Sequence, residues 1–190
     1  MCWRDPLEWG IDVRPGMEPE RKNMSELDLN GPRGYFKDLA NPAFDEFWGV
    51  YQADNPLDRK NFSLVYRRLI AACILLNHVS DKVAANLWPS VKKGADRLAN
   101  LDARIKVISK DAKLDLDACR HFSNDLKHIA LKLHTAEGRE RESAYDNDGL
   151  NQVFCFCMKY QNSPAPVDIC LAAGGAYRFW RAYFSNEFTL

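Results

Sequence analysis

Between residues 56 and 87, Val65, Leu69, Ala72, Leu76, Val79 and Val83 recur in alternating steps of three and four. That spacing lines one face of a helix. Its middle, Leu69 to Leu76, is apolar on every side, so the pattern predicts a helix surrounded by other helices, the central post of the fold. Asn55-Pro56 opens it with Asp58 in the first turn, and Trp88-Pro89 ends it. Four further helices follow from the same reasoning. Residues 42–53 carry Phe44, Phe47, Trp48 and Tyr51 on one face. Asn41 is their cap, Pro42 suits the first turn, and Asp45 and Glu46 complement the positive end. Residues 90–109 bury Val91, Ala95, Leu98, Leu101, Ile105 and Ile108 behind a Ser90 cap. A helix from about Leu114 to Leu133 begins with Asp115 and Asp117. The last, 168–184, turns Ile169, Ala172, Ala176, Phe179 and Tyr183 to the core, and Gly174-Gly175 permits close packing.

Elsewhere the period fails. Residues 1–34 hold four prolines and four glycines, which leave no helical repeat. We read 1–41 as an extended N-terminal arm and 42–190 as the helical domain. Trp3 and Trp9 suit an arm that covers a surface, its own or a partner's. Residues 135–149 are polar and read as a loop. Aromatics alternate through Val153–Tyr160 as in a strand, while Leu150, Val153, Cys157 and Tyr160 also fit a helix. We read a strand, half of a small hairpin, broken by Ser163-Pro164-Ala165-Pro166. The expected fold is mainly α: a single helical-bundle domain of four to six helices, with at most one small β-hairpin near 150–166.

Charge narrows the function. The 190 residues carry 26 Lys and Arg against 26 Asp and Glu, so any nucleic-acid site must be a local one. The longest apolar run, Leu69–Leu76, has eight residues, far from the ~20 of a membrane span, and Met1–Pro6 has no apolar signal core. A soluble, cytoplasmic protein with no membrane partner is expected. Of the six cysteines, Cys155 and Cys157 are the only close pair. One intervening residue is too few for a zinc knuckle and no second Cys/His pair is suitably spaced. Structural free thiols and no cofactor are expected.

One stretch has chemical content. Unrolled at ~100° per residue, the helix around 115–134 buries Cys119, Phe122, Leu126, Ile129, Ala130 and Leu133. His121, Asn124, Asp125, His128 and Lys132 lie on the opposite side, with Arg120 and Lys127 on a flank. A solvated face is one reading. A site built on a rigid helix is the other. His128 would move protons near neutral pH, Arg120 or Lys127 would hold a phosphate, and Asn124 would fix an imidazole or a ribose hydroxyl. A metal reading takes His121, Asp125 and His128, with His78 and Asp81 from the central post. Its spacing is not diagnostic, and we expect no metal.

The order of these pieces resembles the HEPN superfamily of small all-α domains. Arg67-Arg68-Leu69 through Leu76-Asn77-His78-Val79-Ser80-Asp81 is similar to their first long helix. Arg120-His121-Phe122-Ser123-Asn124-Asp125-Leu126-Lys127-His128 is similar to the Arg…Asn-x-x-Lys-His helix of many bacterial members, and Tyr177-Arg178-Phe179-Trp180-Arg181 to their aromatic terminal helix. The resemblance spans about residues 56–186. It implies a domain that binds RNA or a nucleotide. In nuclease members four to six residues separate an Arg from the His that follows it, and paired domains cleave RNA without metal. Here seven residues separate Arg120 from His128, two turns apart and about 80° off in direction, while Asn124 and His128 keep the one-turn relation. On this reading Asn124, His128 and Arg120 carry the chemistry, and Lys127, His121 and Asp125 the binding. The alternative is a non-enzymatic helical protein–protein interaction module.

Large aromatics crowd both ends of the chain: Trp3, Trp9, Phe44, Phe47 and Trp48 early, Tyr177, Phe179, Trp180, Tyr183 and Phe184 late. The late ones spread over more than one face of their helix, with Arg178 and Arg181 among them. Exposed, such a surface marks an interface, and the HEPN resemblance also implies pairing, so a homodimer is expected. The alternative is that the N-terminal arm covers the last helix within one chain.

Overall fold

A computed structural model describes residues 27–53, 58–127, 135–142, 150–159 and 165–190. The fold is mainly α, with five helical segments among the described residues and one small antiparallel sheet. The first segment runs without interruption from Pro32 to Gln52: α1 (Pro32–Tyr35), a π-helical turn (Phe36–Ala40) and α2 (Asn41–Gln52). Residues 32–41 are therefore helical, not part of an extended arm. Pro32 does not break structure here; it occupies the first helical turn, where no N–H is needed. Asn41 is likewise no cap but an interior residue. Pro42 cannot donate to the ladder, and its ring crowds the carbonyl four residues back. The preceding turn widens, so that the Asn41 N–H reaches the carbonyl of Phe36.

The post, α3 (Arg59–Leu87), is capped by Asp58, whose Oδ1 accepts from the Asn61 N–H at 2.8 Å. Its six predicted stripe residues, Val65 to Val83, are all fully buried. By length and composition this helix could cross a membrane. In the fold α1, α2, α4, α5 and α6 pack against it. The next helix, α4 (Gly94–Ile108), starts four residues after Ser90 and has no side-chain cap. Only Leu101 and Ile105 of its predicted stripe are fully buried, whereas Ala95 and Ile108 are exposed. The following α5 (Lys110–Lys127) starts earlier than expected because Ser109 caps it, its Oγ accepting from the Ala112 N–H at 3.1 Å.

The expected loop at 135–149 contains a strand. β1 (Thr135–Glu142) pairs antiparallel with β2 (Leu150–Met158), from Thr135 opposite Cys157 to Glu142 opposite Leu150. A two-residue β3 (Val167–Asp168) pairs on the other side of β2. Strand β1 is an edge strand of Thr-Ala-Glu-Gly-Arg-Glu-Arg-Glu. Charge protects such an edge and erases the apolar alternation that would reveal it. Finally α6 (Ile169–Phe184) begins at Asp168, whose Oδ1 accepts from the Cys170 N–H at 3.0 Å.

Described aromatics of α2 and α6 that suggested an interface pack against one another inside the chain. Phe44 of α2 stacks on Tyr177 of α6 at 3.9 Å and 7°, and the Tyr177 hydroxyl donates to Asn41 Oδ1 at 2.7 Å. Phe36 stacks on Phe184, Phe179 meets Phe188, and Trp180 is fully buried. Helix α6 carries aromatics on several faces because it is packed on several sides. Trp3, Trp9 and the rest of residues 1–26 lie outside the described residues.

Candidate functional site

On α5 Lys113 and Arg120 meet carboxylates rather than open solvent. Arg120 holds Asp102 of α4 with two parallel hydrogen bonds, Nη1 to Oδ2 at 2.8 Å and Nη2 to Oδ1 at 3.0 Å. Asp117 lies one turn back, 3.6 Å from Nη1. Lys113 pairs with Asp117 and approaches Asp102 at 3.6 Å. Two cations and two carboxylates thus close on themselves and tie α4 to α5. The hydrogen bond to Asp102 is the main reason that the Arg120 guanidinium holds its proton more tightly than usual; burial opposes it. Its Nε is buried with no partner among the described residues.

Asn124 is exposed, and His121 and Asp125 are half-buried on α5. Lys127 ends the helix, and His128 lies outside the described residues. The structure therefore brings Arg120 to Asp102 rather than to Asn124. His78, on the central post, sits beside α1. Its Nδ1 faces the Tyr35 hydroxyl at 3.2 Å. Burial first, then the charge of Asp81, push the Tyr35 phenol above its ordinary range. Lys82 sits over the Tyr35 ring at 5.5 Å and donates to the Leu29 carbonyl at 2.8 Å, fastening this segment to α3. Among the described residues no group of three His, Cys, Asp or Glu is arranged to hold a metal ion.

A different stretch of the chain is dense in unpaired positive charge. Between Lys92 and Lys113 the chain has seven Lys and Arg against three Asp. Lys92, Lys93, Arg104, Lys106 and Lys110 are exposed. Arg104 lies over the half-buried Trp88 ring at 5.1 Å, a cation–π contact. Among the described residues none of these five cations pairs with a carboxylate. Beside them Ala103, Arg104, Val107, Ile108, Thr189 and Leu190 line an open, mainly apolar groove of about 400 Å³. Val107 is 88% exposed. The signal for this surface was in the local charge count, which the zero net charge of the whole chain concealed. No family model, no curated protein and no solved structure matches this chain.

Proposed function

We propose that the chain is a HEPN-like, cytoplasmic helical domain that binds RNA or a nucleotide, and that it does so along the outer side of α4. The observation that carries this is the set of exposed cations along and beside α4, Lys92, Lys93, Arg104, Lys106 and Lys110, with Trp88 under Arg104. Phosphates need cations that are not already neutralised, and an aromatic ring offers a base a face to stack on. Arg120 and Lys113 fail the first condition, being held by Asp102 and Asp117. The proposal is one of binding: the clamp holds the Arg120 guanidinium on Asp102, away from a phosphate to be cleaved.

The test is fluorescence anisotropy with a labelled single-stranded RNA at two salt concentrations. Binding that weakens steeply between low and physiological salt, and is lost in Lys106→Glu/Lys110→Glu with the helical signal intact, supports the proposal. RNA bound equally well by that variant moves the site off α4.

The second reading, a non-enzymatic helical protein–protein interaction module, draws on the exposed apolar side chains Val107, Ile108 and Leu114 around the α4–α5 corner. The partner it commits to is a second copy of this chain. No RNA retention, together with a mass in light scattering that doubles with concentration and reverts in Val107→Asp, favours this reading.

A further inference from the structure

Five cysteines from four elements converge beneath the sheet. Cys155 and Cys157 lie two residues apart on β2, their sulfurs 3.1 Å apart. Cys155 donates to Asp168 Oδ2 at 3.2 Å. Cys170, on the first turn of α6, lies close to the Phe156 backbone and to Cys155 and Cys157. Cys73 of α3 and Cys119 of α5 are neighbours, with Cys170 close by. All five are free thiols. Within this seam only Cys157 is half-buried; Cys73, Cys119, Cys155 and Cys170 are buried.

We propose that Cys155 and Cys157 form a redox-active dithiol, closed to an intrastrand disulfide by a hydroperoxide, with Asp168 as the proton acceptor. A disulfide needs sulfurs about 2 Å apart, so the pair must close by roughly 1 Å. Residues i and i+2 of a strand share a face, and no change of register is required. The roles follow from access. Cys157 gives its S–H proton to solvent and its sulfur attacks the outer peroxide oxygen; the O–O bond breaks and the S–O bond forms. The hydroxide or alkoxide released takes a proton and leaves as water or alcohol, with a Cys157 sulfenic acid behind it. Cys155 is kept as a thiol by burial first, and by its hydrogen bonds to Cys157 and Asp168. Its sulfur then attacks the Cys157 sulfur while its proton passes to the Asp168 carboxylate. The S–S bond forms, the S–O bond breaks, and the departing hydroxide is protonated to water. Two thiols have lost two electrons and two protons to one peroxide.

The same Asp168 carboxylate caps α6 through its other oxygen. Oxidation deletes the Cys155 hydrogen bond to it, so the state of the thiols is reported at the N-terminus of α6.

The full chain is treated with hydrogen peroxide, its free thiols are counted after denaturation, and its tryptic peptides are weighed. The expected result is a loss of two thiols, with the Glu142–Lys159 peptide lighter by two hydrogens and restored by dithiothreitol. In Cys155→Ser a dimedone adduct should mark Cys157. In Asp168→Asn, where the new side chain still caps the helix, closure should slow at least roughly tenfold. The proposal is overturned if that peptide keeps both thiols while Cys73 and Cys119 oxidise. It is equally overturned if Cys157 runs on to sulfinic acid in the unmutated chain without a disulfide. An unchanged closure rate in Asp168→Asn overturns the assignment of Asp168.

Discussion

Asp115 of α5 lies against the bare backbone of Gly175 in α6: a Cβ on that glycine would fall 1.7 Å from the Asp115 Oδ2. Two helices approach so closely here that the carboxylate sits in the space a side chain would fill. Water is partly excluded as a result. Burial is the largest cause that lifts the Asp115 pKa from its ordinary 3.8 to about 6; Arg178 pulls it down and Asp111 adds to the rise.

A dependence of stability on pH follows, and its sign is opposite to that of a salt-bridged carboxylate. The folded pKa is above the unfolded one, so the folded state holds the proton more tightly. Stability is fully present below the ordinary value and falls as pH rises through the window from 3.8 to about 6. Asp115→Asn should remove this slope. Its melting temperature should exceed that of the unmutated chain above pH 6 and converge with it toward pH 4, in parallel thermal melts across that range.

Glycines on different helices should respond in opposite ways to the same substitution. Gly175→Ala must displace the Asp115 carboxylate, whose Cγ would also lie only 2.4 Å from the new methyl. Overpacking of this kind costs about 1–3 kcal/mol. Gly49→Ala, inside α2 with nothing within 4 Å, should instead stabilise by about 0.5–1 kcal/mol by restricting the unfolded chain. Denaturant midpoints measure both. Adding Asp115→Ala to Gly175→Ala should recover most of the loss, a coupling read from the double-mutant cycle.

The legible parts of this fold are those where one helix face decides the outcome. The Val65-to-Val83 stripe is fully buried as read, and so are Ile169, Ala172 and Ala176 of α6. The central post and the closing helix needed nothing beyond the 3.6-residue period. The failures have separate physical causes. Strand β1 is polar and paired at an edge, so no alternation betrays it. Ile108 keeps the helical spacing but falls at the end of α4, where it is 42% exposed. Arg120 lies on a polar flank in any helical projection. What a projection cannot supply is Asp102, 18 residues earlier on another helix. A helix face states that a side chain is polar; only packing states whether its charge is already answered.

The stack of Phe44 on Tyr177 joins the first helical segment to the last. Phe44→Ala should cost about 3–5 kcal/mol, the range for deleting a buried phenylalanine. Tyr177→Phe should cost about 1 kcal/mol, because it removes only the hydrogen bond to Asn41. If α2 melted separately from the rest, Phe44→Ala would split the thermal transition in two. A single, shifted transition by both tyrosine fluorescence and helical signal is the expected outcome, since α2 also packs on α3.

Arg120 and Lys106 separate stability from binding. Arg120→Met keeps the length of the side chain but leaves Asp102 and Asp117 with only Lys113 between them. Hydrogen bonds to charged groups are worth about 1.5–3 kcal/mol each. The Arg120 side chain is one-fifth exposed, so solvent screening and the departure of the buried, unpartnered Nε both reduce the penalty. A net loss of about 2 kcal/mol is expected in denaturant unfolding. Anisotropy with labelled RNA should give the same affinity as the unmutated chain, because this guanidinium is already engaged. Lys106→Glu should do the reverse. Lys106 is exposed and has no carboxylate partner among the described residues, so the unfolding midpoint should stay within about 0.5 kcal/mol. RNA affinity should fall, and the slope of log affinity against log salt should lose about one phosphate contact. An Arg120→Met variant that folds and loses RNA would return the ligand to α5. A Lys106→Glu variant that binds as before would leave the α4 surface as no more than a solvated face.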